Sequence, residues 1–74
     1  MNERIIIDPE IQHGKPVIKG TRVPITRIIG GLASGMSIEE IISEYDVIEE
    51  DIRAALQYAG ELVELEEFHP LPQT

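Results

Sequence analysis

The chain has 74 residues and a net charge of −8. A chain of this length forms one small domain that buries only about 60% of its unfolded surface, so we expect it to gain stability from a partner or from a second copy. It has no cysteine and only two histidines, His13 and His69, which excludes disulfides and thiolate zinc sites and predicts neither a metal site nor a cofactor.

The N-terminal residues favour a short strand. Residues 4–7 are rich in β-branched side chains, and Asp8-Pro9 ends the run because proline disfavours helix before itself and cannot donate to a strand ladder. The apolar run is three residues long, far too short for a signal peptide or a membrane span. We therefore expect a cytoplasmic protein without membrane contact.

Residues 13–24, with the sequence HGKPVIKGTRVP, predict a β-hairpin. Two short β-branched segments, 16–18 and 21–23, flank Lys19-Gly20, and a two-residue connection that ends in glycine is typical of hairpins. Because an isolated hairpin is marginal in water, its strands must pack on helices, pair with residues 4–7, or pair with a second copy of the chain.

The remainder of the chain predicts three helices, over about residues 24–34, 37–45 and 49–66. Pro24 suits the first turn of the first helix, and Ser37 with Glu40 forms a capping box for the second. The residues expected on the buried faces are Ile25, Ile28, Ile29, Leu32, Ile38, Ile41, Ile42, Tyr45, Ile52, Ala55, Leu56, Ala59, Leu62 and Val63.

Two glycines interrupt the first helix at positions 30 and 31, and a third, Gly35, suits its C-terminal end. Each glycine inside a helix costs about 1 kcal/mol relative to alanine. Gly30 and Gly31 therefore have two interpretations: close approach of another backbone, or a weak helix held by tertiary contacts.

The second and third predicted helices, joined by a short break, have the outline of a helix-turn-helix. The apolar positions fit this motif, but Ile42 stands where alanine is usual and Asp46 where glycine is usual. The predicted fold class is mainly α, a three-helix (helix-turn-helix) core preceded by short β-strands.

Charge divides the chain into two parts. Residues 1–27 hold five cations against three acids, and residues 28–74 hold one cation against eleven acids, giving net charges of +2 and −10. The third helix begins with three carboxylates, which DNA phosphates would repel, so the hairpin is better suited to nucleic acid. The candidate nucleic-acid-binding residues are Lys15, Lys19, Arg22, Arg27 and Arg53.

Catalysis is not expected. Asp8, His13 and Lys15 lie in a loop of a domain too small to enclose a pocket, where acid–base groups would need matched pKa values. No serine stands beside a candidate base, and Gly14-Lys15 lacks the spacing of a phosphate-binding loop. The sequence therefore predicts a protein that is not an enzyme.

Four segments resemble the family called "domain of unknown function 433": Asp8-Pro9, HGKPVIKGTRVP at 13–24, GMSIEEI at 35–41 and EDIRAALQYA at 50–59. The resemblance spans about residues 5–59. It implies a small bacterial or archaeal protein with a homeodomain-like three-helix core preceded by β-strands. Members are similar to antitoxins of type II toxin–antitoxin pairs, encoded beside a PIN-like ribonuclease toxin. Such an antitoxin would neutralise the toxin by direct contact and repress its own operon.

Three functions stay open: an antitoxin-like binding module, a DNA-binding regulator that uses the hairpin, and a structural homo-oligomer, expected to be a dimer. We expect one antitoxin-like domain over residues 1–67, with a hairpin region at 4–23, and a flexible tail at 68–74. The candidate partner-binding residues are Glu61, Glu64, Glu66, Glu67, Phe68 and Leu71.

Overall fold

A computed structural model, which describes residues 3–65, is mainly helical with a short antiparallel strand pair ahead of three helices. The strands are β1 (Ile5–Ile6) and β2 (Val17–Ile18), with Ile5 opposite Ile18 and Ile6 opposite Val17. The helices are α1 (Ile25–Ala33), α2 (Ile38–Tyr45) and α3 (Glu49–Leu65). The predicted order of short strands followed by three helices is confirmed.

The predicted hairpin around Lys19-Gly20 forms in part. The Thr21 N–H donates to the Ile18 carbonyl (3.0 Å) across a turn in which Gly20 has φ +82°, and the Ile18 N–H donates to Val23 O (3.0 Å). The Thr21 hydroxyl also donates to Ile18 O (2.7 Å) and accepts from the Val23 N–H (3.0 Å).

The second arm of this hairpin is not a strand. An isolated antiparallel bridge joins Val17 to Pro24, but residues 21–23 form no strand. The strand that pairs with β2 is β1, one of the pairings that the sequence left open.

Local sequence signals account for the end of α1. Gly35 has φ +101°, a conformation that side chains with a Cβ rarely adopt. Its N–H donates to Leu32 O, and the Met36 N–H donates to Gly31 O, both at 3.0 Å. This pair of bonds is a Schellman motif, which satisfies carbonyls that the helix leaves unpaired, as the position of Gly35 predicts.

The capping box at the start of α2 is formed. The Ser37 N–H donates to Glu40 Oε1 (2.9 Å), and the Glu40 N–H donates to Ser37 Oγ (3.1 Å). The bond from the Ser37 backbone, followed by that from its side chain, holds the pKa of Glu40 below its usual value. The contribution of this box to stability is therefore present above the usual glutamate pKa and is lost as the pH falls through the lowered one.

The end of α2 explains the unusual residue in the turn before α3. Asp46 has φ 54° and ψ 48°, the left-handed conformation that glycine adopts most easily. Aspartate tolerates this region better than most side chains with a Cβ. Asp46 therefore differs in residue type from the glycine usual in such a turn, but it has the backbone conformation that glycine would adopt there.

The core lies between the strand pair and the helices. Its largest fully buried side chains come from β2 and from each helix: Val17, Ile18, Ile28, Ile41 and Ile52. Helix α3 has 17 residues, against nine in α1 and eight in α2, so at 1.5 Å per residue it is about twice as long as either. Its second half therefore extends past the helices that cover its first half.

Several residues expected on buried faces are exposed. Ala55 is fully buried, but Leu56, Leu62 and Val63 are 48%, 46% and 53% exposed, and Ile38 at the start of α2 is 40% exposed. Leu62 and Val63 lie in the second half of α3, whereas Leu56 lies beside buried Ala55 and is turned away from the core. The apolar periodicity of α3 therefore indicates neither the edge of its buried face nor the point along the helix at which the covering elements end.

The two glycines of α1 have different environments. A Cβ added to Gly31 would lie 2.5 Å from Ile41 Cδ1 and 3.1 Å from Met36 Sδ, whereas a Cβ added to Gly30 would meet nothing within 4 Å. The interpretation of close approach therefore applies to Gly31 alone. The neighbouring group is the buried side chain of Ile41 and not a second backbone. The absence of a Cβ at Gly31 therefore lets α2 pack close to α1.

Candidate functional site

The candidate cations of the N-terminal half lie on segments that flank β2. Lys15 and Lys19 lie just beyond its two ends, and the Lys19 N–H donates to Arg4 O (2.7 Å). The Gln12 side-chain amide donates to Arg22 O (3.1 Å), which joins the loop before β2 to the turn after it.

The Ile25 N–H donates to Pro16 O (3.0 Å), so the loop also lies beside the first turn of α1. Arg27 lies in that turn. Together with Lys15, Lys19 and Arg22 it is exposed, and none of the four makes an ion pair within residues 3–65. These side chains are available to a ligand, although the contacts do not bring them into one compact cluster.

The fifth candidate, Arg53, is engaged within its own helix. Its Nη2 forms an ion pair with Glu49 Oε2, one turn earlier on α3. The sequence suggests three carboxylates in the first turn of α3 that would all repel DNA. In the structure Glu49 is paired, and among the described residues only Glu50 of the three is both exposed and without an ion pair.

The third carboxylate of that turn, Asp51, has a structural role. It is the buried charged residue of the core, 9% exposed, and its Oδ2 accepts the N–H of Ile48 (3.1 Å) at the start of α3. Its Oδ1 accepts from Arg4 Nη1 (3.1 Å). Asp51 therefore caps the start of α3 and also binds Arg4, the residue before β1. The sequence alone does not indicate this role.

The helices α2 and α3 present a negative surface. Its exposed carboxylates are Glu39, Glu40, Glu44, Asp46, Glu49, Glu50, Glu61 and Glu64. The exposed cation on the same two helices is Arg53, which Glu49 already neutralises. Of the predicted partner-binding residues, Glu61 and Glu64 belong to this surface, which we call the acidic surface. The others, Glu66, Glu67, Phe68 and Leu71, lie outside the described residues.

An apolar cleft adjoins the acidic surface. One hollow, of about 290 Å³, is lined by Tyr58 and residues 5–7, and a second, of about 200 Å³, is lined by Tyr58, Glu61, Leu62 and Leu65. Tyr58 lines both, so the two hollows adjoin at its side chain, one on the side of β1 and one along the second half of α3. We call the two hollows together the β1–α3 cleft.

Sequence reasoning did not assign a binding role to residues 5–7 or to Tyr58. The signal was present in the run of three isoleucines, because successive strand side chains alternate and cannot all face one core. Ile5 is 3% exposed, Ile6 is half-buried and Ile7 is 54% exposed.

The described part of the chain offers few other kinds of site. Within residues 3–65 no group of three or more His, Cys, Asp or Glu side chains is arranged to hold a metal ion. Among those same residues, no helix is long and apolar enough to cross a membrane.

Comparison with known proteins identifies relatives over most of the chain. A family model described as "Protein of unknown function (DUF433)" matches residues 5–59. A crystal structure of a DUF433 member from Anabaena variabilis superimposes with a TM-score of 0.76 at 27% identity, covering 82% of this chain and 61% of the other.

Two curated relatives are longer proteins. "Uncharacterized protein y4eO" of Sinorhizobium fredii is 36% identical over 58 residues, which are 77% of this chain and 26% of the relative. "Putative antitoxin VapB45" of Mycobacterium tuberculosis is 29% identical over 52 residues, 70% of this chain and 22% of the relative. The chain thus spans about a quarter of the length of these relatives.

Proposed function

The chain belongs to the DUF433 family, proteins of unknown function, and from that premise we propose that it is a non-enzymatic, antitoxin-like binding protein. In this proposal it neutralises a PIN-like ribonuclease toxin by direct contact. The likeness to a relative named as an antitoxin supports a role of this class.

The observation that carries the proposal is the acidic surface of α2 and α3. Eight exposed carboxylates face solvent there with a single, already paired arginine. A surface of one charge sign speeds association with a partner of the opposite sign and disfavours partners of like sign. A ribonuclease must bind the polyanion RNA, so it carries a basic surface with which these carboxylates are complementary.

Co-expression with the protein encoded by the adjacent gene tests the proposal. We expect the two proteins to co-elute in size exclusion, and we expect the chain to relieve growth inhibition by its neighbour. The Glu61→Lys/Glu64→Lys variant should slow association several-fold at low salt, because it reverses two charges of the acidic surface. Absence of both co-elution and growth rescue for the unaltered chain would exclude the proposed function.

A second candidate function is DNA binding by the N-terminal half, for autoregulation of the operon. It is favoured by the four exposed cations around β2 that have no ion pair within residues 3–65. Affinity for DNA comes largely from such groups, which displace counterions from the phosphate backbone. A dimer would present two copies of this surface to two half-sites, as helix-turn-helix dimers do.

Binding to a fragment of its own promoter, measured by fluorescence anisotropy from about 50 to 200 mM salt, tests this candidate. The Lys19→Gln/Arg22→Gln variant should bind more weakly and reduce the slope of log K against log salt by about 2, roughly 1 for each lost phosphate contact. Arg53→Gln is the matched control, because Glu49 already neutralises that arginine. If the double variant keeps the slope of the unaltered chain, or if the unaltered chain does not bind at low salt, the segment around β2 is not a DNA site.

A further inference from the structure

The apolar face of α3 continues beyond the part of the helix that the core covers. In the first half of α3 this face includes Asp51 and Ala55, which are buried. Tyr58, Leu62 and Leu65 follow Ala55 at intervals of three, four and three residues, so they extend the same face. Leu62 is 46% exposed and Leu65 is 82% exposed. Within residues 3–65 no element covers the second half of this helix face, which is therefore free to contact another molecule.

Residues 5–7 continue this apolar surface on the other side of Tyr58. Ile7 is 54% exposed beside Tyr58, and the β1–α3 cleft runs from there along α3 to Leu65. Its two hollows, about 290 and 200 Å³, lie at or below the lower end of the range of about 300–1,000 Å³ typical of small-molecule sites. Each is large enough for one or two apolar side chains, so the cleft suits a segment of protein better than a cofactor.

Charge decides between a second copy and a different protein as the occupant. Glu61 lines the cleft and Glu64 is exposed on the same turn of α3, whereas no cation lines either hollow in the described part of the chain. Two copies that paired through this cleft would bring like carboxylates together at its rim, and like charges across an interface disfavour association. A partner with basic residues beside an apolar stripe is complementary to it.

We propose that the β1–α3 cleft receives the apolar face of a basic amphipathic helix from the protein partner. The line of apolar residues on α3, continued past Tyr58 by residues 5–7, is the kind of surface to which such helices bind by residues spaced three and four apart. This inference rests on the proposed function, which supplies the partner. It adds that apolar burial in the cleft holds the complex together while the acidic surface speeds its formation.

Two consecutive residues of α3 provide a matched test. Leu62 lines the cleft, whereas Val63 does not line either hollow, and their exposed fractions are similar at 46% and 53%. With the adjacent-gene protein as the probe, Leu62→Ser should raise Kd at least about tenfold, as expected for a central apolar anchor, and Val63→Ser less than about threefold. Ile7→Ser, in the hollow on the other side of Tyr58, should weaken binding as Leu62→Ser does.

The outcomes separate this inference from the proposed function. If the unaltered chain does not bind the probe, both fail. If it binds, and Leu62→Ser and Val63→Ser have equal effects, the cleft is not the site and the proposed function stands. Circular dichroism checks that both variants stay folded. Sedimentation of the isolated chain supplies a further outcome: a dimer that Leu62→Ser dissociates, with unchanged binding of the probe, would assign the cleft to a second copy and overturn the proposal.

Discussion

Replacing Asp51 with alanine is expected to lower the free energy of unfolding by about 1–3 kcal/mol. The carboxylate caps α3 by accepting the Ile48 N–H, and the loss of a helix cap typically costs about 0.5–2 kcal/mol. The variant also loses the bond from Arg4, a partly exposed pair that contributes less. For a domain of this size, whose total stability is only of the order of 5–10 kcal/mol, this is a large fraction.

Two further substitutions separate the contributions of Asp51. Asp51→Asn keeps an oxygen that can accept the Ile48 N–H but removes the charge that pairs with Arg4, so it should cost less than Asp51→Ala. Glu50→Ala is the control, because Glu50 lies in the same turn, is exposed, and contributes through the helix dipole by about 0.5 kcal/mol. The measurement is urea unfolding followed by circular dichroism. Equal shifts of the midpoint for the alanine variants at positions 50 and 51 would contradict the capping role.

The role of Asp51 illustrates the limit of reading charge from the sequence. Glu49, Glu50 and Asp51 are equivalent as acids in the first turn of a helix, where the dipole favours all three. In the fold they differ, because one pairs with Arg53, one faces solvent, and one is buried against Arg4, which lies 47 residues earlier in the chain. A partner so distant in sequence gives no local signal, so the sequence cannot distinguish them.

Elements fixed by local chemistry could be predicted. Ser37 with Glu40 determines the start of α2, and Gly35 determines the end of α1, because each depends only on bonds within a few residues. The pairing of β2 could not be predicted as firmly. The turn at Thr21 closes a hairpin that extends only to the bridge between Val17 and Pro24, whereas the second strand, β1, is brought in by tertiary packing of Ile5 on the core.

The candidate site also has one part that could be predicted from the sequence and one part that could not. The cations around β2 and the glutamates of α3 could be named from the sequence, because charged side chains are exposed almost by default. The β1–α3 cleft could not, since it depends on two apolar segments about 50 residues apart and on the point at which α1 and α2 stop covering α3. Periodicity marks Leu62 and Val63 alike as apolar, but only the fold shows that the first lines a cleft.

The length of α3 relates these observations to the proposed function. Its first half completes the core, with Ile52 and Ala55 buried, and its second half offers Leu62 and Leu65 to solvent beside carboxylates. Burying such a face on a partner would provide the additional stability that a chain of 74 residues needs. We therefore expect the partner to raise the melting temperature of the chain as well as to be bound by it.

The largest effect on core packing is expected at Gly31. Gly31→Ala places a methyl group 2.5 Å from Ile41 Cδ1, and Ile41 is fully buried, so its side chain or α2 itself must shift. Overpacking of this kind costs about 1–3 kcal/mol. Gly30→Ala is the matched control, because its Cβ meets nothing within 4 Å, and the better helix propensity of alanine should stabilise the domain by up to about 1 kcal/mol.

A double substitution identifies the contact responsible. Ile41→Val removes Cδ1 and alone should cost about 0.5–1.5 kcal/mol. Combined with Gly31→Ala it creates the space that the new methyl group occupies, so the double variant should be more stable than the sum of the single effects predicts, by about 1–2 kcal/mol. Met36, whose sulfur lies 3.1 Å from the added Cβ, can adjust because methionine is flexible. Strictly additive effects in urea unfolding would mean that Gly31 is required for a reason other than room for Ile41, since the coupling energy measures the clash directly.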